Sequence, residues 1–168
     1  MIKFLYSNSH MKTLKKIIDD ASKYVVLSCS KWWNADTIKG YQNLSMDYSV
    51  LADVFFPLLR ACNRGVRVIL ICESKYEHIL YSFFSNEIIN QQLFIQTVES
   101  VNCKLYFNEK TTIITSKDIA DEDTNHLGVV IDIDDKIKEL EVYLEKNVIT
   151  NPDIKDKLGS IYKGRRIL

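Results

Sequence analysis

Glycine and proline are scarce in this sequence of 168 residues, with five and two copies. That excludes collagen-like, linker-rich and disordered chains, which are built on them. An excess of either charge is missing too, because 22 basic residues balance 22 acidic ones. Without a positive surplus the chain lacks the global footprint of a nucleic-acid or anionic-membrane binder, although a local patch stays open. No apolar run approaches the roughly 18 residues of a transmembrane helix. The opening ten residues hold too short an apolar stretch for a signal peptide. Four cysteines (Cys29, Cys62, Cys72 and Cys103) show neither CxxC nor metal-ligand spacing. The three histidines, His10, His78 and His126, do not cluster with them. No metal or cofactor is therefore expected. Each cysteine lies in an apolar or strand-like stretch, which predicts buried, reduced thiols and a cytoplasmic setting. The sequon Asn43-Leu44-Ser45 is then a chance match.

What is present is an ordinary globular mixture, 46% hydrophobic and 26% charged, of a length that suits one domain with one core. Met11, Leu14, Ile17, Ile18 and Ala21 follow helical spacing after the polar stretch Ser7-Asn8-Ser9. Residues 24–27 read as a buried strand, and residues 31–47, polar with Trp32 and Trp33, as a long loop. Val50, Leu51, Val54, Phe55, Leu58, Leu59 and Cys62 form a second helical stripe. Pro57 within it predicts a kink or a break, and Gly65 is placed to end it. Residues 66–72 are a nearly continuous apolar run, the pattern of a strand covered on both faces. A helix over 76–91 and strands at 93–98, 102–107, 111–115 and 127–133 follow. Asp134-Asp135 then open a last helix, where acidic residues suit the dipole. The order predicts an α/β fold, a helix/sheet/helix sandwich around one mixed β-sheet. Residues 1–150 are expected to be that single domain. Residues 151–168 are expected to be an extension with a short helix and a basic tail of Lys163, Arg165 and Arg166, a solvated end rather than a nucleic-acid patch.

Three segments resemble the phospholipase D superfamily. Ala61-Cys62-Asn63-Arg64-Gly65-Val66-Arg67-Val68 matches a helix-to-strand passage of that family. Its HxKxxxxD motif is matched in frame by Asn102-Cys103-Lys104-Leu105-Tyr106-Phe107-Asn108-Glu109. Its GSxN turn is matched by Thr115-Ser116-Lys117-Asp118. His126 stands where the family has an acidic residue before its last strand, here Gly128-Val129-Val130-Ile131. The resemblance covers about residues 5 to 147 and implies the phospholipase D-like fold. Ile114-Thr115-Ser116, Asn125-His126 and the Asn-x-Lys variant are further similar to the poxviral envelope phospholipase-D-like proteins, which implies a viral protein of the host cytoplasm.

The departures bear on function. In the family the motif histidine attacks phosphorus, and a second one protonates the leaving group. Asn102 does neither. Lys104 and Ser116 are the expected phosphate-binding remnant, with a local ion pair of Lys104 to Glu109 or Asp118 as the plainer reading. Asp118 replaces an amide donor with a carboxylate that repels phosphate. No catalytic residue is therefore expected among the degenerate positions Asn102, Lys104, Glu109, Ser116, Asp118 and His126. Strand alternation puts Asn102, Lys104 and Tyr106 on one face and Cys103 on the other, which argues against a thiol nucleophile.

Family members with two motifs set them face to face, and single-motif chains do so as homodimers. The resemblance thus implies a pseudoenzyme that dimerises through the degenerate face, acting by protein interaction or assembly. Two alternatives stay open. One is a phosphodiesterase on phospholipid or nucleic acid using Lys104, Ser116 and His126. The other is a regulatory partner of an intact two-motif relative. Trp32 and Trp33 are candidates for ligand or partner contact, against the alternative that one of them plugs the core.

Overall fold

The computed structural model describes residues 1–6, 9–32, 50–120, 126–132 and 134–147. Trp33, Asn125 and the extension at 151–168 lie outside the described residues.

The first strand, β1 (Ile2–Tyr6), has a single buried side chain, Leu5. No element is predicted there from sequence, because one inward residue in five gives no alternation strong enough to read. Helix α1 (His10–Asp20) buries His10, Leu14, Ile17 and Ile18, which the 3.6-residue period places on one face. Strand β2 (Tyr24–Ser28) follows and is buried throughout.

The second helical stripe contains the break expected at Pro57, and its form is a π-turn. Residues Leu51–Phe55 are π-helical, and Phe56 N–H bonds back to Leu51 O. Helix α2 (Phe56–Asn63) then starts with proline in its first turn. Proline has no N–H to give and crowds the preceding turn, and one wider turn accommodates this without ending the helix. Gly65, at φ +80°, closes α2. Gly65 N–H reaches Cys62 O at 2.8 Å and Val66 N–H reaches Ala61 O at 3.0 Å, the paired bonds of a Schellman cap.

Strand β3 (Arg67–Glu73) follows directly. The helix expected over 76–91 is two helices, α3 (Ser74–Phe83) and α4 (Ser85–Ile89). The chain turns at Phe84, whose fully buried ring packs against Phe55 and Phe83. Core insertion of that ring overrides helix continuity. Strand β4 (Leu93–Val98), the hairpin β5 (Lys104–Asn108) and β6 (Thr112–Thr115), strand β7 (Leu127–Ile131) and helix α5 (Asp134–Asn147) complete the described chain.

All seven strands form one mixed sheet in the order β1-β7-β6-β5-β2-β3-β4. Strands β2, β3 and β4 run parallel, and β5, β6, β7 and β1 are antiparallel to their neighbours. The α/β sandwich expected from the sequence is thus the fold. The larger core lies between one sheet face and α1, α2 and α3, with Val25, Leu27, Val68, Leu70 and Ile113 from the strands. A smaller core lies on the other face, where Ile137 and Leu140 of α5 cover Tyr24, Val26, Ile69, Ile71, Leu105 and Phe107. Trp32, at 1% exposure, belongs to the larger core. It fills the core and is not an exposed contact for a ligand or partner.

Candidate functional site

The carboxyl ends of parallel strands are where open α/β sheets place their ligand sites, because the strands stop there and backbone groups are left to be satisfied. Strand β2 ends at Ser28. Cys29 N–H still bonds across the sheet to Ile71 O at 3.2 Å, and the next two N–H groups, of Ser30 and Lys31, turn toward one point. The Asp118 carboxylate occupies that point. Its Oδ1 accepts from Ser30 N at 2.7 Å and from Lys31 N at 3.0 Å. The Cys29 thiol donates to the same oxygen at 3.1 Å. Ser30 Oγ donates to Oδ2 at 2.7 Å, and Lys104 Nζ lies 3.7 Å from Oδ2. Four donors from Cys29-Ser30-Lys31 and the Lys104 ammonium from β5 thus converge on one buried carboxylate.

Burial pulls the Asp118 carboxyl upward, but the hydrogen bonds from Ser30, Cys29 and Lys31 and the charge of Lys104 outweigh it and hold the group below the usual carboxylate range. The neighbouring thiol goes the other way. Burial first, and then the Asp118 charge, push Cys29 well above an ordinary thiol, so it stays a neutral donor. Sequence reasoning missed Cys29 and Ser30. Their signal was present as small polar residues at the end of an apolar strand.

The other motif positions do not join this cluster. Asn102 is exposed, and its Oδ1 accepts from Ser100 Oγ at 3.1 Å. Thr115 is the cross-strand partner of Lys104, so those two side chains leave one face of the sheet and Ser116 leaves the other. Ser116 Oγ instead meets His126 Nδ1 at 3.2 Å, at the exposed edge. Lys104 and Ser116 therefore do not share one phosphate-sized point.

Glu109 is at the far end of β5 from Lys104, about 17 Å along the strand at the usual rise per residue. It binds the turn between α1 and β2. Its Oε1 accepts from Ser22 N at 2.8 Å and Ser22 Oγ at 2.6 Å, and Oε2 accepts from Lys23 N at 3.4 Å. An ion pair of Lys104 with Glu109 is thus replaced by one with Asp118 alone. Burial raises the Glu109 carboxyl, and the Ser22 hydroxyl with the backbone amides lowers it more, leaving it below the usual range.

Cys103 corrects the expectation of four buried thiols. Cys29, Cys62 and Cys72 are buried, and Cys103 is exposed. Partial burial still raises its thiol above normal despite Lys104, so no activated thiolate is present. Burial pushes Cys62 and Cys72 up to about 12. Among the described residues no group of three or more His, Cys, Asp or Glu could hold a metal ion. Also among them, no helix is long and apolar enough to cross a membrane.

One further close approach frames the site. Gly128 on β7 faces His10, the first residue of α1 and 3% exposed. A Cβ at position 128 would come within 2.7 Å of His10 Nε2 and 3.1 Å of Thr115. This glycine lets the helix N-terminus seat on the sheet beside Tyr106, whose hydroxyl donates to Lys117 O at 2.8 Å.

No protein-family profile matches the chain, and no curated protein matches it in sequence. Solved structures do match in fold. Nuc from Salmonella typhimurium, a phospholipase D family member, is 14% identical with a TM-score of 0.58, over 87% of this chain and 92% of that one. Phosphatidylserine synthase from Haemophilus influenzae is 13% identical with a TM-score of 0.64, over 98% of this chain. TrmBL2, an archaeal chromatin protein with a novel mode of DNA binding, is 12% identical with a TM-score of 0.61, over 86% of this chain. The match covers 43% of the synthase and 50% of TrmBL2. The fold is therefore phospholipase-D-like.

Proposed function

We propose that this chain is a catalytically silent phospholipase-D-like domain, of the poxviral envelope type in its motif, that acts by protein interaction or assembly. In this reading it pairs with a second copy of itself through the face that carries Asn102 and Lys104. One observation supports the silent reading above the others. The four donors at the end of β2, together with Lys104, are turned on the chain's own Asp118 carboxylate. A substrate phosphate meets a negative charge there, and Asn102 offers neither a nucleophile nor a proton.

The test is turnover. Phosphatidylcholine vesicles, single-stranded DNA and a generic aryl phosphodiester should all remain intact at high protein concentration, and Lys104→Ala should change nothing. Hydrolysis of any of them that Lys104→Ala abolishes would overturn the silent reading. Light scattering should give a dimer at micromolar concentration. A clean monomer would overturn the pairing, and a complex formed only with an intact two-motif relative would replace it by the regulatory alternative.

The phosphodiesterase reading retains one specific support, the hydroxyl–imidazole contact of Ser116 and His126 at 3.2 Å. A serine beside a histidine is the beginning of a nucleophile–base pair. Loss of hydrolysis in both Ser116→Ala and His126→Ala would establish it.

A further inference from the structure

A groove of about 430 Å³ runs between helix α1 and the strands β7 and β1. Its size falls within the roughly 300–1,000 Å³ that small-ligand sites occupy. Alternation along the strands fixes its floor. Leu5 and Val130 belong to the larger core, so Lys3 on β1 and Asp132 just past β7 leave the sheet on that same side. The ladder still holds at Asp132, whose N–H bonds to Met1 O at 2.9 Å. The wall is one stripe of α1 and its cap. Ser9, Thr13, Lys16 and Asp20 recur there at intervals of four, three and four, beside the buried Ile17.

Four charged side chains line this groove, two of each sign, and among the described residues none is paired with another. They are ordered along it. Asp20 lies four residues beyond Lys16 on α1, a rise of about 6 Å. Lys3 stands across from Val130, and Asp132 is two residues beyond Val130, about 7 Å along the strand. The two series run the same way. Asn108 Nδ2 bonds to Ile17 O near the end of α1, and Thr112, on the same hairpin as Asn108, stands across from Ile131. The end of α1 and the end of β7 therefore lie together, with both carboxylates there and both ammonium groups one step back.

Asp132 gives the sign of a missing partner. Its Oδ1 is shut off from solvent and accepts no hydrogen bond among the described residues, a state that is costly for a carboxylate oxygen. Two cations approach this end, and each bonds a backbone oxygen rather than a carboxylate. Met1 N–H₃⁺ donates to Asp132 O at 2.9 Å, and Lys110 Nζ donates to Asp20 O at 3.3 Å. Asn108, Ser9 and Thr13 are already satisfied within the chain. Asn108 also accepts from Lys110 N and Thr111 N, and the two hydroxyls donate to Tyr6 O and Ser9 O.

We propose that the groove is a binding site for a zwitterionic dipeptide, with its amino group at Asp132 and Asp20 and its carboxylate at Lys3 and Lys16. An ammonium supplies the donor that Asp132 Oδ1 lacks, and a carboxylate supplies an acceptor to both lysines. Length selects among zwitterions. A free amino acid carries both charges on one Cα and falls short of the spacing. Two extended residues reach about 7 Å, which matches the step set by both helix and strand. The peptide side chains rest against Leu5, Ile17 and Val130. The groove uses neither Asn102 nor Lys104, so this inference stands apart from the silent-enzyme reading and from pairing through that face.

The experiment is an NMR titration of the nitrogen-15-labelled full chain with alanyl-leucine. Saturable shifts at millimolar peptide are expected in the amides of Lys3, Lys16 and Asp132. N-acetyl-alanyl-leucine, alanyl-leucine amide and free leucine should each bind at least tenfold more weakly. Asp132→Asn should abolish the preference for a free amino group and keep that for a free carboxylate. Lys3→Gln with Lys16→Gln should do the reverse, and both lysines are exposed, so this variant leaves the core intact. The absence of saturable shifts at the groove would overturn the proposal. So would a blocked peptide or free leucine that binds as tightly as alanyl-leucine, or substitutions that weaken every ligand alike. Inorganic phosphate binding as tightly as the peptide would assign the lysines to a simple anion and overturn it as well.

Discussion

At the residue scale, Glu109 and Asp118 are both acids held below their normal range, and they do different work. Glu109 fastens the turn before β2, and Asp118 fills the end of that strand. The linkage has a definite sign. A carboxyl whose folded pKa is depressed contributes stability above its unfolded pKa of roughly 4.3 for Glu, and loses it as pH falls through the folded value. Glu109→Gln should therefore lower Tm at pH 7, and the gap to the native chain should narrow as pH drops toward 3. A gap independent of pH would show that shape and not charge matters at that turn. Gly128→Ala tests the other close contact. The added methyl has to push aside His10 or Thr115 and should cost about 1–3 kcal/mol in urea unfolding. The motif frame made Lys104, Glu109, Ser116 and Asp118 legible as candidates. The pairing of Lys104 with Asp118 was legible as one of two alternatives, and register decides between them and keeps Ser116 apart. Thr115, not Ser116, stands across from Lys104.

At the element scale, periodicity located most helices and strands, since burial on one side imposes it. It failed where burial was weak or where the core took a residue out of phase. Strand β1 inserts one side chain and left no readable pattern. Phe84 ends α3 because its ring is needed between Phe55 and Phe83. Phe55 sits at the end of the π-turn, 4.9 Å from the Phe83 ring and 5.2 Å from the Phe84 ring. Phe55→Ala should cost about 3–5 kcal/mol, the range for emptying a buried aromatic site. A loss below 1 kcal/mol would mean that α2 and α3 close over the gap.

At the scale of the whole molecule, the sheet joins the first strand to the last. Ile2 pairs with Ile131, and Met1 N–H₃⁺ donates to Asp132 O at 2.9 Å. Among the described residues strand β1 is also an edge, with one neighbour and a single inward side chain, so local opening should begin there. Amides of β1 bonded to β7 should exchange with deuterium faster than those of β2 and β3 in the sheet centre. Equal protection would make the sheet one cooperative unit. The mixed sheet and its layers were readable from the order of elements, because covalent order and strand direction restrict the topologies. The extent of the smaller core was not, since it depends on where α5 lies on the sheet.

The Asp118 carboxylate has a consequence in terms of concentration. A free anion that approaches the end of β2 competes with a ligand on the same chain. Even loosely tethered ligands act at effective concentrations of order millimolar, and this one is fixed by the β6 hairpin in bonding position. Raising phosphate in solution therefore does little to displace it. The cup changes hands only when the tether is cut by substitution or the carboxylate is protonated, and the chain holds that carboxyl well on the ionised side of neutrality.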